Sequence, residues 1–291
     1  MSYPWHDYGG RTSPLKLAVF VALFVPALWV AAAFAMGWLG ARPLNEAIHQ
    51  LGLWTIRLIF IALAVTPLRH ILQWSRLLHA RRMVGVAAFA YAAAHLSLYA
   101  GDQAFDLAKI ATEIAVRIYL TIGFAAVLGL AALAATSTDG MIKRIGALRW
   151  QRLHRLVYVI ALLAVIHFCM QSKLELWEPT IMAGIYGWLM GYRGLARYFA
   201  VRGRLPLVWV GAVGAAAAVL TAVGEAAYFR IAFGVDPLRV VAANWSLVTG
   251  LRPAAVVLGL ALAVTAAGAA RTLNAAHRKT PAAPRLRPAA R

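Results

Sequence analysis

The chain alternates long apolar blocks with short clusters of arginine and lysine. A run of about 20 apolar residues spans a bilayer as a helix. Eight such runs occur, at approximately 16–38, 51–68, 83–101, 114–136, 150–170, 179–196, 205–228 and 251–272. The pattern predicts an all-α, polytopic transmembrane helix bundle.

Composition agrees, since 62% of the residues are hydrophobic and 13% charged, with a mean hydropathy of +0.71. A net charge of +19 invites comparison with nucleic-acid binders, but the cations fall between apolar runs rather than along one polar face. Charge placed in this way sets topology, because cytoplasmic loops collect Lys and Arg. Arg69, Arg76, Arg81 and Arg82 follow the second run, Lys143, Arg144, Arg149 and Arg152 border the fourth and fifth, and Arg193, Arg197, Arg202 and Arg204 follow the sixth. Those loops are expected in the cytoplasm with both termini, where they also suit anionic lipid or a docking electron donor. The loops holding Asp102, Asp106, Glu113, Glu175 and Glu178 then face outward.

Residues 1–15 form a polar lead-in without the features of a cleavable signal. Residues 273–291, basic and rich in proline and alanine, are expected to be a disordered cytoplasmic tail. Cys169 is the only cysteine. It excludes an internal disulfide and any multi-cysteine cluster, and is expected to be a packed thiol.

Ionisable side chains inside a membrane are costly and mark cofactor sites, ion paths or proton relays. The stretch WQRLHRLVYVIALLAVIHFCM, Trp150 to Met170, carries His154 and His167 near its two ends, and the third run carries His95. With the topology above, His95 lies about six residues, or roughly 9 Å, from the outer end of its helix. His167 lies a few residues from the outer end of its own, and His154 about 20 Å deeper. Two neutral imidazoles at matched depth on neighbouring helices are what a six-coordinate b-type haem requires. Arg57 and Arg117, expected near that level, are candidates for its propionates or for snorkelling to the interface. In a straight helix, thirteen residues put His154 and His167 on different faces, so they need not serve one cofactor. A second haem on the cytoplasmic side would use His154 with an unassigned partner, the nearest histidines being His70 and His79.

The segments FAYAAAHLSLY (Phe89 to Tyr99), TPLRH (Thr66 to His70), RIYLTIG (Arg117 to Gly123) and LAATSTDGMIKRIGALRWQRLHRLVY (Leu133 to Tyr158) carry a family resemblance. Over about residues 15–200 the chain resembles the MsrQ (formerly YedZ) family, haem-binding inner-membrane subunits of the bacterial periplasmic protein-methionine-sulfoxide reductase system, within the ferric-reductase-like transmembrane superfamily. The resemblance implies a six-helix haem-binding core over residues 16–204, with two additional helices over 205–272. It also implies haem association of His95, His154 and His167, flavin mononucleotide as a further cofactor, and electron delivery to the molybdenum-containing reductase MsrP. The chain departs from the family pattern at Ile118, where proline often follows the arginine.

No G-x-G-x-x-G segment in a strand-turn-helix context is present, so a separate donor is required, a cytoplasmic flavin reductase or quinol. Two alternatives stay open. One is a ferric or other metal-ion reductase of the same superfamily without a periplasmic protein partner; the other is a transporter relaying protons through His154, His167 and Glu225.

Overall fold

The computed structural model describes residues 5–6, 10–172, 175–200, 204–246, 248 and 250–277. Twelve α-helices follow in order: α1 Pro14–Ala35, α2 Pro43–Ile71, α3 Leu78–Asp102, α4 Leu107–Val116, α5 Ile118–Ala135, α6 Asp139–Ile145, α7 Ala147–His154, α8 Leu156–Gln171, α9 Trp177–Phe199, α10 Leu207–Phe233, α11 Pro237–Trp245 and α12 Pro253–His277. Local chemistry sets many of the ends. Pro14, Pro43 and Pro237 sit at helix starts, where their missing N–H is not needed. Asp106, Thr138 and Asp236 accept first-turn backbone N–H groups. Gly234 ends α10 in the left-handed conformation, at φ 68°.

Among the described residues, seven segments are long and apolar enough to cross a membrane: α1, α2, α3 with the preceding turn, α5, α7 together with α8, α10 and α12. The protein is a multi-pass membrane protein. The run expected over 179–196 is helical, as α9, but falls outside this set. Its Met182 and Leu189 join one buried cluster while Trp188 and Tyr192 join another. A helix wrapped by other helices can be less apolar than one that faces lipid.

The first cluster holds Leu51, Ile59, Leu63, Ala88, Tyr91, Leu130, Ile160, Ala161 and Val165, from α2, α3, α5 and α8. Here α2 packs on α3, and α5 on α8. The Tyr91 hydroxyl donates to the Leu23 carbonyl at 2.7 Å and accepts from Ala27 N–H at 3.0 Å, stitching α3 into α1 beside Pro26. Arg193 of α9 donates to the carbonyls of Leu63 and Leu189, 2.5 and 2.8 Å away, and lies over the Tyr158 ring. The second cluster, with Val210, Ala218, Val257 and Ala261, joins α10 and α12 to α9.

Four boundaries differ from expectation. The second helix starts at Pro43 rather than near 51, because Asn45, Glu46, His49 and Gln50 extend it beyond its apolar part. The fourth run divides at Arg117, whose extended backbone (φ −98°, ψ 103°) separates the amphipathic α4 from α5. Ile118 thus takes the first helical position, a favoured place for proline. The fifth divides at Arg155 into α7 and α8. The last helix runs to His277, and residues 278–291 of the expected tail lie outside the described residues.

Candidate cofactor site between two helix pairs

His95 projects from α3 toward α2, where its Nδ1 lies 2.7 Å from the Ile48 carbonyl oxygen. A carbonyl only accepts, so Nδ1 carries the proton and Nε2 keeps its lone pair. On the other helix pair, His167 of α8 donates from Nδ1 to the Tyr119 carbonyl of α5, also at 2.7 Å. Among the described residues neither Nε2 has a hydrogen-bond partner. An imidazole with its far nitrogen tied to a carbonyl has its tautomer and orientation fixed for metal ligation.

This donor set fits haem iron, which takes two axial imidazoles and receives its remaining ligands from the porphyrin. A bare ion is poorly served, because no group of three or more His, Cys, Asp or Glu side chains that could hold a metal occurs among the described residues.

His154 is placed differently. It closes α7, stacks on Trp150 with ring centroids 3.9 Å apart, and has Nε2 3.2 Å from the Thr136 hydroxyl. That hydroxyl gives its own proton to the Ala132 carbonyl at 2.8 Å, so its oxygen receives Nε2–H of His154. Trp150 completes the arrangement by donating to the Thr136 carbonyl at 2.8 Å. Tyr119 and Thr136 mark opposite ends of α5, seventeen residues or about 25 Å apart. His167 and His154 are therefore separated along the bundle, as their spacing predicts. The guanidinium charges of Arg81 and Arg82 act at His154. Arg82 pairs with Asp139 at 2.6 Å and holds that carboxyl below the usual aspartate range.

Both arginines singled out in the sequence have carboxylate partners. Arg57 donates to Glu178 of α9 from Nε at 3.0 Å and Nη2 at 2.7 Å, with its guanidinium 4.9 Å above the Trp54 ring. Because α2 begins at Pro43, Arg57 lies fourteen residues along it, about 21 Å from its start. Arg117 pairs with Glu113 and reaches the Tyr119 hydroxyl. It is two residues from the carbonyl that holds His167.

The relay of His154, His167 and Glu225 is not assembled. Glu225 is buried in α10, where it accepts from Asn244 at 2.6 Å and faces Arg252 at 3.8 Å. Cys169 is a partly buried free thiol packed on the first cluster. Sequence inspection misses the Ile48 and Tyr119 carbonyls, Gly52 and Gly123 against the two rings, and the acids Glu178 and Glu113 that neutralise the arginines. Pairing of Glu113 with Arg117 is signalled by their i, i+4 spacing; the other features carry no local signal.

A family model, ferric reductase like transmembrane component, matches residues 51–165. These include His95, Tyr119 and most of α2, begin three residues after Ile48 and end two residues before His167. A protein of Rhodospirillum rubrum is 46% identical over 179 residues, covering 61% of this chain and 86% of its own length. One from Azospira oryzae is 38% identical over 189 residues (64% and 81%), and one from Caulobacter vibrioides 41% over 176 residues (60% and 84%). Each bears the name protein-methionine-sulfoxide reductase heme-binding subunit MsrQ. No solved structure matches the chain. With this identity over most of the relatives' length, the chain belongs to the MsrQ family.

Proposed function

We propose that this protein is the haem-binding, electron-transferring membrane subunit of a methionine-sulfoxide reductase system, with His95 and His167 as axial ligands of one b-type haem. The observation that carries this reading is the pair of imidazoles with Nδ1–H bound to backbone carbonyls and Nε2 left without a partner. Bound there, a b-type haem supplies a one-electron centre. The chain's own residues hold and orient it. The Ile48 and Tyr119 carbonyls fix the tautomer of each ligand. The propionates are assigned to Arg57 and Arg117, already neutralised by Glu178 and Glu113, so a propionate would be a second carboxylate on each guanidinium. A second haem at the other end would take His154 through Nδ1, with its other ligand outside the groups now beside that ring.

In this reading the protein lies in the inner membrane with both termini cytoplasmic, and residues 16–204 form the haem-binding core. Electrons enter from a cytoplasmic flavin reductase or quinol, with flavin mononucleotide as an intermediate carrier, and leave to the periplasmic molybdenum-containing MsrP, which reduces methionine sulfoxide. The names of the relatives support this assignment, because a subunit defined by haem binding implies a separate catalytic partner.

The test is a reduced-minus-oxidised spectrum of the detergent-purified protein, followed by addition of acceptors. A b-type spectrum that reoxidises on adding MsrP with methionine sulfoxide, and not with either alone, is expected. Reoxidation by an Fe(III) chelate but not by MsrP would favour a metal-ion reductase, and a colourless protein from haem-replete cells would overturn the haem assignment.

A further inference from the structure

The two halves of the site are built alike. On α2, the carbonyl that receives His95 belongs to Ile48, and Gly52 lies four residues on, against the ring. On α5, the carbonyl that receives His167 belongs to Tyr119, and Gly123 lies four residues on, against that ring. A Cβ at Gly52 would stand 3.0 Å from both Cε1 and Nδ1 of His95. A Cβ at Gly123 would stand 2.7 Å from the same two atoms of His167. These atoms form the ring edge that makes the carbonyl bond. Other glycines, including Gly85, Gly187 and Gly194, have open space where a Cβ would project. Glycine inside a helix is unfavourable relative to alanine, so its use against both rings calls for a local reason.

We propose that Gly52 and Gly123 are positioning residues for the axial ligands, giving each imidazole the clearance to lie against the neighbouring backbone and reach its carbonyl. The inference rests on the haem reading above. A methyl at either position pushes the Nδ1 edge outward and stretches or breaks a 2.7 Å hydrogen bond. The carbonyl bond strengthens imidazole as a donor and orients it; losing it weakens ligation, favours the ferrous state and raises the reduction potential.

The experiment compares wild type, Gly52→Ala, Gly123→Ala and the open-space control Gly187→Ala as purified haem-loaded proteins. It measures reduction potential, the low-spin ferric EPR g-values and the rate of haem loss to apomyoglobin. The expected result is a raised potential, shifted g-values and haem loss faster by roughly tenfold or more, the scale on which metal sites weaken when a ligating histidine loses its hydrogen-bond partner. Gly123→Ala should exceed Gly52→Ala, with the control unchanged. Wild-type potential and EPR in both glycine variants, even with lowered thermal stability, would overturn the proposal. If Gly123→Ala does not fold, the milder Gly52→Ala decides by the same criteria. A wild type without haem would instead remove the haem reading itself, and the inference with it.

Discussion

His167 and His154 lie on what the sequence predicts as one span, and both bond to groups of α5, yet their surroundings place the proton on opposite nitrogens. At one end of α5 the Tyr119 carbonyl takes Nδ1–H and leaves Nε2 open. At the other, the Thr136 hydroxyl takes Nε2–H, and Trp150 covers a face of the ring. The difference teaches that a histidine's residue type and depth do not decide which nitrogen it can offer a metal; the acceptor beside it does, by choosing which nitrogen stays basic. Only the Tyr119 end has a counterpart on another helix pair, at His95.

Removing an imidazole at each end gives the largest expected effect. His95→Ala and His167→Ala each abolish the outer-site b-type signal in a pyridine haemochrome assay and difference spectrum, whereas His154→Ala leaves it in place. Loss of that signal in all three variants would erase the distinction.

Next in size is Glu178→Gln, which leaves the Arg57 guanidinium without its carboxylate. The pair is about a third exposed on the arginine side, and the expected loss is about 1–2 kcal/mol, between the surface and buried cases. It should appear as a lowered melting temperature in detergent. Thr136→Val has a smaller effect, about 1 kcal/mol for the hydrogen bonds removed, and leaves the outer-haem spectrum unchanged.

The smallest effect concerns Arg82 and Asp139. The Asp139 carboxyl is held below its ordinary range, so the pair's contribution is complete above the ordinary aspartate pKa and disappears as pH falls through the lowered value. The stability difference between wild type and Asp139→Asn should therefore vanish in acid below the ordinary aspartate range. Both side chains are exposed, which keeps the difference small at neutral pH.

Helices and candidate ligands are legible in the sequence for one reason: apolar runs are long, and a histidine within one is conspicuous. The partners of those histidines are not, because every residue has a carbonyl and only the packing of α3 on α2 and α8 on α5 selects Ile48 and Tyr119. Arg57 is visible as a membrane cation, but Glu178 is 121 residues away and its approach depends on α9. The breaks at Arg117 and Arg155 interrupt apolar patterns without a proline or glycine to announce them. The polar first turns of α2 conceal that helix's true start.

The central claim is that the Nε2 atoms of His95 and His167 are the two ligating nitrogens. Pulsed EPR of the oxidised protein, grown with histidine carrying nitrogen-15 at Nε2 alone, tests it directly. The account predicts two strongly coupled labelled nitrogens on a low-spin ferric centre, absent from His95→Ala and His167→Ala and retained in His154→Ala. A single strongly coupled labelled nitrogen in wild type, or strong coupling that disappears with His154 instead, would contradict it.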